Sequence, residues 1–197
     1  MKKLVLLLSL IAVVVLAVAL YAGLGLQAVQ QAVAQEEVEV PFLDEWAGSG
    51  HADASAEAFI HWDEDSPAEV PDRCAKCHST SGYLDFLGAD GTEFGVVDSG
   101  HPVGSTVECA ACHNEVTLTL DSVVMPSGIE LTGLGDEARC MQCHQGRQSK
   151  VSVDEAIAEA AVGDDEVSED LGFLNIHYYA AAATKYGTMA KGGYEYD

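Results

Sequence analysis

Six cysteines fall into three copies of one pattern: Cys74-Ala75-Lys76-Cys77-His78, Cys109-Ala110-Ala111-Cys112-His113 and Cys140-Met141-Gln142-Cys143-His144. Each reads C-x-x-C-H, the attachment sequence for c-type haem. Two thiols three positions apart on a helical turn can add to the two vinyl groups of one porphyrin. The next residue then swings its imidazole under the iron as the proximal ligand. Part of the pattern would serve other chemistry, as half of a zinc site or as a redox disulfide. Neither needs a histidine directly after the second cysteine, and zinc would want C-x-x-C units in pairs, whereas three are present. The expectation is three covalent haem c groups with His78, His113 and His144 as proximal ligands.

Haem iron has a second axial position, and what fills it separates electron carriers from catalysts. Four histidines remain as distal candidates: His51, His61, His101 and His177. A lone histidine is usually structural or solvated, but four beside three expected irons shift that balance. Met125 and Met189 are the competing ligands and rank second while histidines are in surplus. His177 lies in a stretch, Leu171 to Tyr186, that reads as a helix, with Ala180 and Ala181 one turn on to clear a flat face for a porphyrin. His61 sits on a shorter helical stretch, Ala54 to Trp62, beside Phe59 and Trp62. His51 follows the flexible Gly48-Ser49-Gly50, and His101 occupies the loop Ser99-Gly100-His101-Pro102. Local sequence does not say which histidine serves which iron. One histidine is left over, which suits a structural role, a haem in a neighbouring subunit, or a fourth haem. Enough histidines exist to close every site and no catalytic cluster accompanies them, so the chain reads as an electron carrier and not an enzyme. A multihaem oxidoreductase with one open haem site is the alternative.

The elements that must hold these residues are short. Val116 to Met125 alternates apolar and polar residues, Pro126-Ser127-Gly128 supplies a turn, and Ile129 to Thr132 alternates again, which predicts one β-hairpin. Ser152-Val153-Asp154-Glu155 matches a capping box ahead of a helix through Ala161. The acidic stretch from Gly163 to Asp170 reads as a solvated connector. The fold class expected is mainly α and irregular loops with one small β-hairpin, stapled by the haems, because the protein core is thin for the chain's length. Without haem, the mature chain is expected to be largely disordered.

Lys2 and Lys3 precede an apolar run from Leu4 to Leu26, and Ala32-Val33-Ala34 offers a cleavage site, so residues 1–34 read as an export signal. The run is also long enough to cross a bilayer, so a retained membrane anchor is the alternative. Residues 35–197 then form the haem-bearing domain, periplasmic or extracellular. That domain carries 32 acidic and 7 basic residues, a net charge of −25. Such a surface repels nucleic acid and anionic membranes and favours cationic partners. Five of the basic residues flank two motifs: Arg73 and Lys76 at the first, and Arg139, Arg147 and Lys150 around the third. The second motif is flanked by Glu108 and Glu115, which favours ferric iron and predicts the lowest potential there.

These residues resemble the multihaem c-type cytochromes of bacteria and archaea, defined by several C-x-x-C-H sites and mostly bis-histidine irons. Two further stretches sharpen the likeness: CMQCHQGR from Cys140 to Arg147, and NIHYYAAAATKYG with the following KGGYEY. The resemblance covers roughly Gly48 to Tyr196. It implies proximal roles for His78, His113 and His144, a distal role for His177, and low-potential electron transfer with other redox proteins, other cytochromes above all. Larger relatives continue with further C-x-x-C-H sites after a segment like KGGYEY, so the chain reads as a short member or as the N-terminal part of a larger cytochrome. Related small members polymerise into extracellular filaments with a histidine donated across the subunit boundary, which makes self-association a further alternative.

Overall fold

The computed structural model describes residues 40–177 and 180–193. The chain divides into two units, Met1–Leu43 and Asp44–Asp197, and the architecture below is that of the second. The predicted export signal or anchor lies outside the described residues. Among the described residues, no helix is long and apolar enough to cross a membrane.

Short helices joined by irregular loops make up most of this unit, with two small antiparallel sheets. Asp72–His78 (α1) starts directly after Pro71, with Asp72 in its first turn, where a carboxylate complements the exposed backbone N–H groups. It ends at Ser79, whose extended backbone breaks the helix. The Ser79 hydroxyl then caps the next helix, Thr80–Phe86 (α2), by accepting from the Gly82 N–H at 2.9 Å. The two helices touch so closely that a Cβ on Gly82 would lie 2.5 Å from the Ala75 carbonyl oxygen, which only glycine tolerates. Cys109–Cys112 (α3) is a single turn, and Glu137–His144 (α4) carries the third motif.

Glu69–Val70 pairs with His101–Pro102, a long-range sheet absent from the sequence expectation. The predicted hairpin is present but shorter: Val123–Val124 pairs with Glu130–Leu131. Its turn closes with the Gly128 N–H donating to the Met125 carbonyl at 2.8 Å, with Gly128 at φ +80°. The residues from Asn114 to Leu120 form turns instead of strand, because the Asn114 carboxamide oxygen accepts from the Val116 and Thr117 N–H groups.

Three other helix expectations are corrected. The stretch around His61 is helical only over Glu57–Ile60. The helix predicted behind Ser152 begins three residues earlier, as Lys150–Ala160 (α5), with the Ser152 hydroxyl accepting from the Ser149 N–H. The stretch from Leu171 is not helical at His177; among its described residues, Ala181–Tyr186 (α6) is. His177 itself has φ +82°, held there as its N–H donates to the Asn175 side chain at 2.9 Å.

Two apolar clusters form the core. Val123, Met125, Leu131, Met141, Ala182 and Ala190 pack the hairpin against α4 and α6. Tyr83, Leu87 and Ala111 pack α2 against α3. Thirteen apolar side chains are buried among the described residues, and five of them are alanines, so little apolar area leaves water on folding.

Candidate haem-attachment site

Each motif stands at the C-terminal end of one helix, so that its cysteines lie about one turn apart and its histidine sits at the helix end. The three helices converge around Tyr83, which is buried and donates its hydroxyl to the Arg139 carbonyl at 2.8 Å. Burial first, then the neighbouring Cys143, Cys112, Cys140 and Cys77 thiols, push its pKa strongly upward, which places cysteines of all three motifs about one ring. Thr80 clamps the approach to the second motif by donating to the Thr106 carbonyl at 2.6 Å and accepting from the Glu108 N–H at 2.8 Å. Arg139 reaches from the third motif's helix to the Cys112 carbonyl at 2.7 Å.

Two motif histidines face histidines from elsewhere in the chain. The His51 and His144 ring centres are 6.0 Å apart, with the planes at 50°. Those of His78 and His177 are 5.9 Å apart, at 74°. A metal–imidazole bond of about 2 Å places two imidazoles on opposite sides of one iron about 6 Å apart between centres. Each ring can rotate about its own metal bond, so either interplanar angle is compatible. The Nδ1 of His78 is held by the Ala58 carbonyl at 2.8 Å, which leaves Nε2 available, the arrangement that orients metal-bound histidines. Trp62 stands edge-on to His78 at 5.3 Å. Burial lowers the pKa of both His51 and His78, with His144 adding to the effect on the first and His177 on the second. A lowered pKa keeps the ring neutral, the form that binds metal.

The tail of the third motif places His177. The Arg147 N–H donates to the Ile176 carbonyl at 2.9 Å, and a Cβ on Gly146, which has φ +83°, would lie 2.7 Å from that same oxygen. The third motif thus delivers the histidine that faces the first. Around His144 lies a cleft of about 640 Å³ whose wall is made of small residues, Ala180, Ala181, Ala183, Gly192 and Gly193 among them. A second cleft, about 440 Å³, brings Lys76 and Arg147 beside Phe86 and Phe94.

The other candidates are placed differently. His61 is exposed, its Nδ1 on the Glu57 carboxylate at 2.9 Å and its ring edge-on to Trp62. His101 commits Nε2 to the buried Asp85 carboxylate at 2.9 Å. Burial raises the Asp85 pKa, but hydrogen bonds from His101, the Asp98 N–H and Thr92 outweigh it, and the carboxyl lies below its ordinary value. Met125 is buried in the hairpin cluster and Met189 is exposed.

Two cysteines from different motifs, Cys77 and Cys143, act on one another. The Cys143 thiol donates to the Lys76 carbonyl at 3.5 Å beside Cys77, and the interaction of the two sulfurs draws Cys77 down to about 7 and pushes Cys143 up. Lys76, over the Phe86 ring at 4.3 Å, and Arg147 add to the lowering of Cys77. The charges thus differ from the sequence expectation: Arg139 sits at the second motif, and Arg147 acts on the first.

Among the described residues, no group of three or more His, Cys, Asp or Glu side chains is gathered as ligands of a bare metal ion. A haem iron asks less of the protein, because the porphyrin supplies four nitrogens and only two axial ligands come from side chains. The residue pairs, the thiols and the small-residue cleft fit that demand. Compared with known proteins, the chain matches no family model, no curated protein sequence and no solved structure.

Proposed function

We propose that this chain is an exported electron carrier that binds three haem c groups, one at each C-x-x-C-H motif. The observation that carries the reading is the pairing of motif histidines with distant ones, His144 with His51 and His78 with His177, each near 6 Å. Nothing in the motif spacing requires a second imidazole opposite the first. Bound haem supplies a one-electron iron couple.

The chain's own residues do the rest. Cys74, Cys77, Cys109, Cys112, Cys140 and Cys143 would anchor the porphyrins through thioether links. His51 and His177 close two irons against exogenous ligands, which suits electron transfer and not substrate chemistry. Convergence of the three motifs on Tyr83 keeps the cofactors close enough to exchange electrons within one chain. Other cytochromes or cationic redox proteins are the partners this acidic surface fits.

The test is a redox titration of protein matured by a c-type haem system. Three electrons should be taken up reversibly per chain, and His51→Ala and His177→Ala should each convert one low-spin haem to high-spin. A chain that takes up no electrons removes the reading.

A further inference from the structure

The geometry assigns the spare coordination position to the second motif. We infer that the iron held by His113 keeps an open axial face that binds small neutral ligands, while His51 and His177 close the other two. The inference rests on the haem reading above and refines it.

All seven histidines are among the described residues. Two pairs account for four of them. His61 has its Nδ1 on Glu57 and packs on Trp62, which in turn meets His78, so it lies on the first motif's side. His101 is tied through Nε2 to Asp85, its side chain only 14% exposed. That contact holds the ring on Asp85. His113 is exposed, and among the described residues no hydrogen bond or ring contact involves its side chain.

The backbone behind His113 is tied down by local hydrogen bonds. Asn114 donates to the Ala110 carbonyl at 2.9 Å and accepts from the Val116 and Thr117 N–H groups at 3.0 Å, and Thr117 donates to the Cys112 carbonyl at 2.9 Å. Neither methionine substitutes. Met125 is buried with Met141 and Ala182, and Met189 is exposed beside Ala190 of that same cluster.

Charge selects the ligand class. Glu108 and Glu115 flank the motif, and Arg139, the cation beside it, is paired with Asp136. An approaching anion meets net negative charge, which a neutral molecule does not feel. The site therefore takes neutral diatomic gases or a free imidazole in preference to azide or nitrite.

Carbon monoxide added to the reduced, fully matured chain should change the Soret absorption of one haem in three, with mass analysis of the same sample counting the haems. The variant Cys109→Ala/Cys112→Ala should carry two haems and lose that response. His61→Ala and His101→Gln, which leave every motif intact, should keep the responding share at one in three. For the oxidised protein, azide affinity should rise as salt screens the repulsion, while imidazole affinity stays constant. Three haems with no carbon monoxide response would overturn the inference and leave the electron-carrier reading standing. A response that survives loss of Cys109 and Cys112, or grows in His61→Ala, would overturn the assignment to His113. Azide affinity that falls with salt would overturn the ligand class. A mass without haem would remove the reading on which the inference rests.

Discussion

At the level of single side chains, the ring nitrogen that an imidazole leaves available decides what it can do. His78 gives Nδ1 to a backbone carbonyl and keeps Nε2, whereas His101 spends Nε2 on Asp85. Asp85 also gathers Thr92 and the Asp98 N–H, so it ties α2 to the loop that returns as the His101 strand. Replacing it leaves buried donors without an acceptor, which costs about 1–3 kcal/mol. Asp85→Asn should lower stability by that amount in chemical denaturation, with the spectrum of the haems unchanged. The pH dependence follows from the sign of the shift. Asp85 has its carboxyl pKa below the unfolded value of about 3.9. Its contribution is therefore fully present above that value and is lost as pH falls through the lower folded pKa. Wild-type and Asp85→Asn stabilities should differ at neutral pH and converge in acid. The motif residues were legible in sequence because the C-x-x-C-H pattern is local and repeats three times. The partners of His101 and His51 were not, because 16 residues separate Asp85 from His101 and 93 separate His51 from His144, and no local pattern spans such gaps.

Among the elements, the segment that delivers His177 is the instructive case. The alanines one turn beyond His177 suggest a helix there, yet a side-chain acceptor at Asn175 and a positive φ at His177 break it first. Left-handed backbone at a non-glycine residue costs energy and persists only where surroundings impose it. Here Arg147 and Gly146 impose it through Ile176. Gly146→Ala puts a Cβ against the Ile176 carbonyl and forces φ +83° on an alanine, a cost of about 1–3 kcal/mol. The expected result is a partial high-spin signal from the first motif's haem, caused by a change next to the third, read by electron paramagnetic resonance. An unchanged spectrum would show that this contact does not place His177. The hairpin, by contrast, was legible because Pro126-Ser127-Gly128 supplies a turn whatever surrounds it. Only its length was misjudged, since Asn114 captures the backbone that alternation had assigned to strand.

For the molecule as a whole, a thin core and a large negative charge set the terms. Alanines make up much of the buried apolar set, and Phe94 and Phe173 remain exposed. Three porphyrins would add apolar surface that the side chains do not provide. The mature chain made without haem should accordingly show little ordered structure by circular dichroism, and a cooperative thermal transition in that sample would contradict this. With a net charge of −25 on residues 35–197, encounter with a cationic redox partner should be electrostatically steered. Its second-order electron-transfer rate should fall as ionic strength rises, as stopped-flow mixing with a basic redox protein would show. The mainly helical, loop-rich class with a small hairpin was readable from the sequence; the second sheet was not, because Glu69–Val70 and His101–Pro102 are too short to carry a strand signature.

The central claim is that the three motifs hold haem covalently, and mass analysis of the mature protein expressed with a c-type maturation system tests it most directly. The account predicts three haem additions that survive denaturation, one lost for each cysteine pair replaced by alanine. A mature chain that exports and folds with unmodified cysteines, or with bound zinc in their place, would contradict it.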